Sequence, residues 1–255
     1  MKGSATGQHP AFSRIDHRPW PLPTGRWTWR QSWCDLLFAH WPMPAEALRP
    51  LVPPELEIDT FDSISWVGVV PFRMEGVMRR PLPDLPWISA FPELNLRLYV
   101  TRDGKPGVWF LSLDATNPVA VWAARSFFHL PYWRAKISLQ EEDSGFRYRS
   151  QRVEGPDRVN FGASYRPTSE LYESQPGTLE HWLTERYSLY AQAPDGALTR
   201  TEVHHVPWPL QHAEADVDIG DLLTPHGLSI EGPPAHLHFS RRIDVVVWSP
   251  ERLRL

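Results

Sequence analysis

Proline is the residue that most constrains this chain. There are 27 among 255 residues, interleaved with apolar side chains. A proline has no amide hydrogen to donate, and its ring clashes with the preceding helical turn. Long helices are therefore disfavoured, and many short strands joined by turns are expected. Prolines mixed with apolar residues in this way do not describe a disordered chain. The length suits one large domain or two small ones and is enough to bury a core without covalent staples.

Alternation along the chain gives the same reading. Residues 1–25, rich in Pro, Gly, Ser and His, are expected to form a mobile arm, and 26–255 a single domain. Trp27, Trp29 and Trp33 alternate as in a strand. A proline-bracketed helix is expected around Ala45 to Leu51. Ser63 to Met74 alternates again. Glu93 to Thr101 is the cleanest strand: Leu94, Leu96, Leu98 and Val100 point one way, and Glu93, Asn95, Arg97 and Tyr99 the other. Asp103-Gly104 supplies a hairpin turn leading to a return strand at Val108 to Leu113. Asn117-Pro118 starts a helix that Pro131 ends. Strands follow at Trp133–Gln140, Gly145–Arg152 and Val159–Arg166, then a helix from Thr178 to about Tyr187. Further strands are expected near Ser188, after the Pro194-Asp195-Gly196 turn, and at Asp244–Trp248. The result is an α+β, mainly β domain, and closure into a barrel would remove its exposed strand edges. The proline-rich loop from Arg79 to Trp87 is a candidate lid.

Several partner classes are disfavoured. The formal net charge is −4 with both signs mixed and no basic block, so nucleic acid is not the expected partner. No apolar run is long enough for a membrane helix, and the first 25 residues lack a secretory signal. A lone cysteine, Cys34, permits no internal disulfide. Together these give a cytoplasmic expectation, with self-association left open. Neither standard glycine-rich phosphate loop is present, and no cofactor is assigned.

Several segments taken together resemble the YqjF family, also called DUF2071. They include Leu37-Phe38-Ala39-His40-Trp41, Trp66-Val67-Gly68-Val69-Val70-Pro71-Phe72, the strand from Phe91 to Val100, Gly107-Val108-Trp109-Phe110, Thr184-Glu185-Arg186-Tyr187 and Pro207-Trp208-Pro209-Leu210. That family is distantly similar to acetoacetate decarboxylase. The resemblance implies a cone-shaped antiparallel β-barrel with two or three short helices and a lumen sized for a small molecule. It also implies a pocket glutamate at Glu93. It does not carry over the Schiff-base lysine, because Tyr132 and Trp133 stand where the amine is expected.

Candidate site residues follow. In a barrel, the Glu93, Asn95, Arg97, Tyr99 face lines the lumen; in an open sheet, it is a solvated outer wall. In the lumen reading, Glu93 works as acid or base, and Asn95, Arg97, Tyr99 and Arg125 bind ligand. Only three lysines exist, and Lys136 alone lies within a strand, so any imine chemistry falls to it. Glu185 and Arg186 are adjacent on a helix and read as its anchor to the barrel. His236 and His238 share a strand face, but with no spaced acid or cysteine no metal site is assigned. The first functional expectation is a barrel that binds a small acidic or carbonyl-bearing metabolite. Its rivals are a decarboxylase-like lyase using Glu93 and Lys136, and a non-catalytic interaction module.

Overall fold

A computed structural model describes residues 9–82, 89–156 and 158–254. In chain order the strands are β1 (Trp29–Met43), β2 (Glu57–Ile58), β3 (Ser65–Arg79), β4 (Phe91–Arg102), β5 (Lys105–Ala115), β6 (Tyr132–Glu142), β7 (Gly145–Arg152), β8 (Asn160–Pro167), β9 (Ser188–Gln192), β10 (Leu198–His204), β11 (Gln211–Asp218), β12 (His236–Val247) and β13 (Glu251–Arg252). Three short α-helices interrupt them: α1 (Ala45–Leu48), α2 (Pro118–Phe128) and α3 (Leu179–Thr184). Of the expected lid, residues 83–88 lie outside the described residues.

Two of the strands that pair three ways, β5 and β12, set the architecture. β5 bonds to β4, β6 and β9; β12 bonds to β1, β11 and β10. Two rings therefore close on one shared layer, β12-β1-β3-β4-β5. A nine-strand ring continues through β6, β7, β8 and β11, and a seven-strand ring continues through β9 and β10. The mainly β expectation holds. The departure is that β5 pairs in parallel with both β6 and β9, whereas the other ladders of these rings are antiparallel.

Each ring has its own filling. Inside the nine-strand ring, the β4 leucines pack with Leu37, Phe146, Tyr148, Phe161, Tyr165 and Phe239 into a closed apolar core. Inside the seven-strand ring, Phe38, Phe72, Leu113, Trp208 and Val245 form a second cluster, and this one surrounds a cavity. On a strand with one residue facing each way, a shared layer must present opposite side chains to the two interiors. That is how β4 is read: Leu94, Leu96 and Leu98 to the core, Glu93, Asn95 and Arg97 to the cavity.

Bulges keep that division consistent along strands that bend. On β1, Trp29, Gln31 and Trp33 line the cavity, and beyond the bend Leu36 and Phe38 do so. The parity switch falls at a register irregularity between Cys34 and Ala39, where Asp35 adopts φ 53°. An inserted residue reverses which face follows. The bent backbone is held from both sides: Asp35 accepts from Arg73 and Arg241, both at 2.9 Å, and its carbonyl accepts from the core residue Tyr165 at 2.8 Å.

The segment expected as an N-terminal arm lies on the barrel from His9 onward. Ala11, Phe12 and Trp27 pack with Val246 and Trp248. Arg18 is buried; it donates to the Val203 carbonyl at 2.6 Å and to Glu202 at 2.8 Å, and Trp20 donates to the same carboxylate at 2.7 Å. The composition of this stretch is loop-like, but its Arg, His and Trp side chains find buried partners on β10.

Candidate functional site

The cavity of the seven-strand ring has a volume of about 170 Å3. One water takes about 10–15 Å3 on this scale, so roughly a dozen small atoms fit. Its walls are mostly apolar and aromatic: Trp29, Trp33, Phe38, Phe72, Phe110 and Trp208 among them. Helix α2 covers one side with Ala120, Ala123, Ala124 and Phe128. The helix is set there by its ends. Asn117 Oδ1 caps the amides of Val119 and Ala120, and His129 ends the helix in the left-handed region.

Glu93 is 1% exposed and accepts a 3.0 Å hydrogen bond from the Tyr132 hydroxyl. Burial pushes its carboxyl up to about 8, against the lowering pull of hydrogen bonds from Tyr132 and Asn95; Asp114 adds a like charge. The carboxyl is therefore protonated at neutral pH. Tyr132 is held well above its ordinary range by burial and by Glu93, so its hydroxyl remains a donor. Asn95 Oδ1 is buried beside them with no hydrogen-bond partner among the described residues.

Positive charge gathers at another part of the wall. Arg97 donates to the Tyr99 hydroxyl from Nε at 3.2 Å and from Nη2 at 3.0 Å, and from Nη2 to the Leu183 carbonyl at 2.9 Å. Among the described residues it pairs with no carboxylate. Arg186 follows α3, with Nη1 at 2.5 Å from Asp59 and Nε at 2.7 Å from the Trp182 carbonyl. Its Nη2 is buried without a partner among the described residues, and burial lowers its pKa, with Arg97 adding repulsion. Both arginines line the cavity, with Thr184 and Ser188 close in sequence to Arg186. His205 lines it too. Its Nδ1 donates to the Val206 carbonyl at 2.7 Å, leaving Nε2 as the acceptor, and burial pushes it down to about 3, so it is neutral.

The other named residues fall elsewhere. Tyr99 is buried behind the wall, its hydroxyl 2.6 Å from His40 Nε2 and donating to the Leu183 carbonyl at 3.0 Å; it supports Arg97 and does not line the cavity. Arg125 is also outside the lining. Its Nε donates to the Tyr132 carbonyl at 2.7 Å and its Nη2 to Glu154, so it ties the end of α2 to the start of β6. Lys136 is exposed on the outer wall. β6 leaves the β5 ladder after Arg134, and beyond that point Ile137 and Leu139 turn to the apolar core while Arg134, Lys136 and Ser138 face solvent. The structure thus joins Glu93, Asn95 and Arg97 and separates Arg125 and Lys136 from them. Arg186 reads from sequence only as part of a helix anchor, and His205 is a cavity residue that the sequence reading missed; its position near the proline-flanked Trp208 is the available hint. Among the described residues, the group spaced for metal ligation is Glu180, His212 and His238, none of which lines the cavity.

The comparisons match this architecture. Residues 30–244 match the DUF2071 family, described as uncharacterised conserved proteins. The uncharacterised protein YqjF of Bacillus subtilis (strain 168) is 41% identical over 235 residues, spanning 92% of this chain and 96% of its own. Acetoacetate decarboxylase from Legionella pneumophila superposes with a TM-score of 0.61 at 15% identity, covering 98% of both chains. An acetoacetate decarboxylase-like enzyme from Sphingomonas wittichii RW1 gives 0.62 at 12% identity, over 90% of this chain and 94% of its own. The enduracididine biosynthesis enzyme MppR complexed with pyruvate gives 0.60 at 14%, over 94% and 93%. At these identities the solved structures share the fold. The chain belongs to the DUF2071 family.

Proposed function

We propose that this DUF2071 protein binds a small carboxylate bearing a carbonyl group, such as an oxo acid, inside its seven-strand ring. The observation that carries the reading is the pair of cavity-lining arginines with one carboxylate, Asp59, between them and donor capacity to spare. A cation facing an aromatic, water-poor cavity favours an anion there, and a guanidinium fork fits a carboxylate's two oxygens. The protonated Glu93, held by the Tyr132 hydroxyl, then offers its own proton to a ligand carbonyl oxygen. The structural relative named with pyruvate binds a ligand of this class.

A second reading adds chemistry at the same place. A carboxyl near 8 passes a proton either way close to neutral pH, which suits general acid–base work on an enolisable carbonyl. The imine route has little support. Lys105 pairs with Glu202 at 3.3 Å, and Lys136 is on the outer wall.

Calorimetric titration with pyruvate and acetoacetate, against acetone and methyl pyruvate as uncharged controls, tests the reading. We expect saturable binding of at least one acid, little for the controls, and at least a tenfold loss in Arg97→Gln. Binding that ignores the carboxylate, or is unchanged in Arg97→Gln, would overturn it.

A further inference from the structure

A second cluster of chemistry-bearing side chains sits away from the cavity. His212 on β11 and His238 on β12 are direct cross-strand partners, so their side chains rise from the same face of the ladder. Glu180, in the first turn of α3, comes down onto them. One ligand atom from each lies within 4.8 Å of the others, and His238 Nε2 is 3.7 Å from Glu180 Oε1. Tetrahedral zinc with bonds of about 2.0–2.2 Å holds its ligand atoms about 3.3–3.5 Å apart. Side-chain adjustments of an ångström or less would therefore close the triangle.

The surroundings of the three groups suit ligation. His238 is 2% exposed, and its Nε2 faces the Glu180 carboxylate. Its Nδ1 is buried with no partner, which leaves the ring underused as a purely structural group. On the other side, His212 is exposed and packs at a tilt on the Tyr172 ring, centroids 4.9 Å apart, with the Tyr172 hydroxyl 3.5 Å from its Nδ1. Two imidazoles and one carboxylate open to solvent on one side form a donor set suited to zinc with a water in the fourth place.

We propose that Glu180, His212 and His238 form a zinc site that pins the start of α3 to the β11–β12 ladder. α3 has six residues and ends at Thr184, which lines the cavity with Arg186 just beyond. Fixing its first turn fixes where those two groups arrive.

The test uses tag-free, chelator-stripped full-length protein and zinc chloride. We expect one equivalent of zinc bound per chain, a higher Tm with zinc, and the visible absorption bands of tetrahedral cobalt when Co2+ is substituted. His238 is buried, and its replacement risks misfolding. The deciding variants are therefore His212→Ala and Glu180→Gln at exposed and half-exposed positions. Each should weaken zinc at least tenfold and abolish the Tm gain. Absence of saturable binding, or equal affinity in both variants, would overturn the site. Zinc that binds at these residues without raising Tm would overturn the pinning role.

Discussion

Glu93 gathers the strongest electrostatic consequences of the fold into one carboxyl group. Its ordinary value of 4.5 rises to about 8 on folding. A raised value means the folded state holds the proton more tightly than the unfolded chain. Its contribution to stability is complete below pH 4.5 and is lost as pH rises through 8. With about 1.36 kcal/mol per pH unit, the full span is roughly 4–5 kcal/mol. Glu93→Gln keeps a carbonyl oxygen for the Tyr132 hydroxyl and removes the titration. The difference in unfolding free energy between the two proteins, measured by urea titration from pH 5 to 9, should grow with pH in favour of the glutamine form. A flat difference would mean that Glu93 ionises normally. Tyr132→Phe should push the Glu93 midpoint higher still, because the lost hydrogen bond favours the ionised carboxyl. Part of this was legible in the sequence. Leu94, Leu96, Leu98 and Val100 opposite Glu93, Asn95, Arg97 and Tyr99 announce a two-faced strand. Alternation cannot tell a solvated face from a lined cavity, since both tolerate polar side chains. Arg186 carried no periodic signal at all, because it enters the cavity from the chain turn after α3.

Strands and helices explain where local patterns stop working. β4 and the hairpin at Asp103-Gly104 read correctly because each side of β4 faces one uniform environment. β12 did not: its expected span of Asp244–Trp248 is in fact His236–Val247. Its burial follows no period of two, because it has neighbours in both rings and its facing partners change along its length. β5 shows what three-way pairing demands of a residue. A Cβ on Gly107 would sit 2.4 Å from Ser188 Oγ, 2.8 Å from the Ser188 carbonyl and 2.8 Å from the Tyr190 ring. That clearance brings β9 close enough to bond to β5 in parallel and so closes the seven-strand ring. Gly107→Ala should destabilise by about 1–3 kcal/mol through overpacking, read as a lower urea midpoint. It should also weaken oxo-acid binding, because Ser188 on β9 lines the cavity. Wild-type stability in this variant would show that the ring does not depend on the close approach.

Two rings sharing one layer divide the labour of the whole molecule. The nine-strand ring is filled by side chains, as a small barrel ordinarily is, and carries the apolar burial that holds the chain folded. The seven-strand ring keeps about 170 Å3 open, which loses packing contacts and is tolerable because the shared layer is stabilised from its other side. The family resemblance made the barrel legible, but nothing in a single strand reveals that two rings share it; that depends on β5 and β12 each meeting three partners. Adjacent residues of β4 let the division be tested with minimal change of position. Leu96, fully buried in the core of the nine-strand ring, should cost about 2–5 kcal/mol when cut to alanine. At temperatures where the variant stays folded, its oxo-acid affinity should remain within about twofold of wild type. Asn95→Ala, one residue away and facing the cavity, should do the reverse. Its Oδ1 has no partner to lose among the described residues, and one hydrogen bond to Glu93 goes, so stability should fall by about 1 kcal/mol, while affinity drops several-fold through lost contact and a rearranged Glu93. Urea unfolding and calorimetric titration on the two variants measure both quantities. Should Leu96→Ala impair binding as much as Asn95→Ala does, the shared layer transmits strain from one interior to the other, and the two rings act as a single mechanical unit.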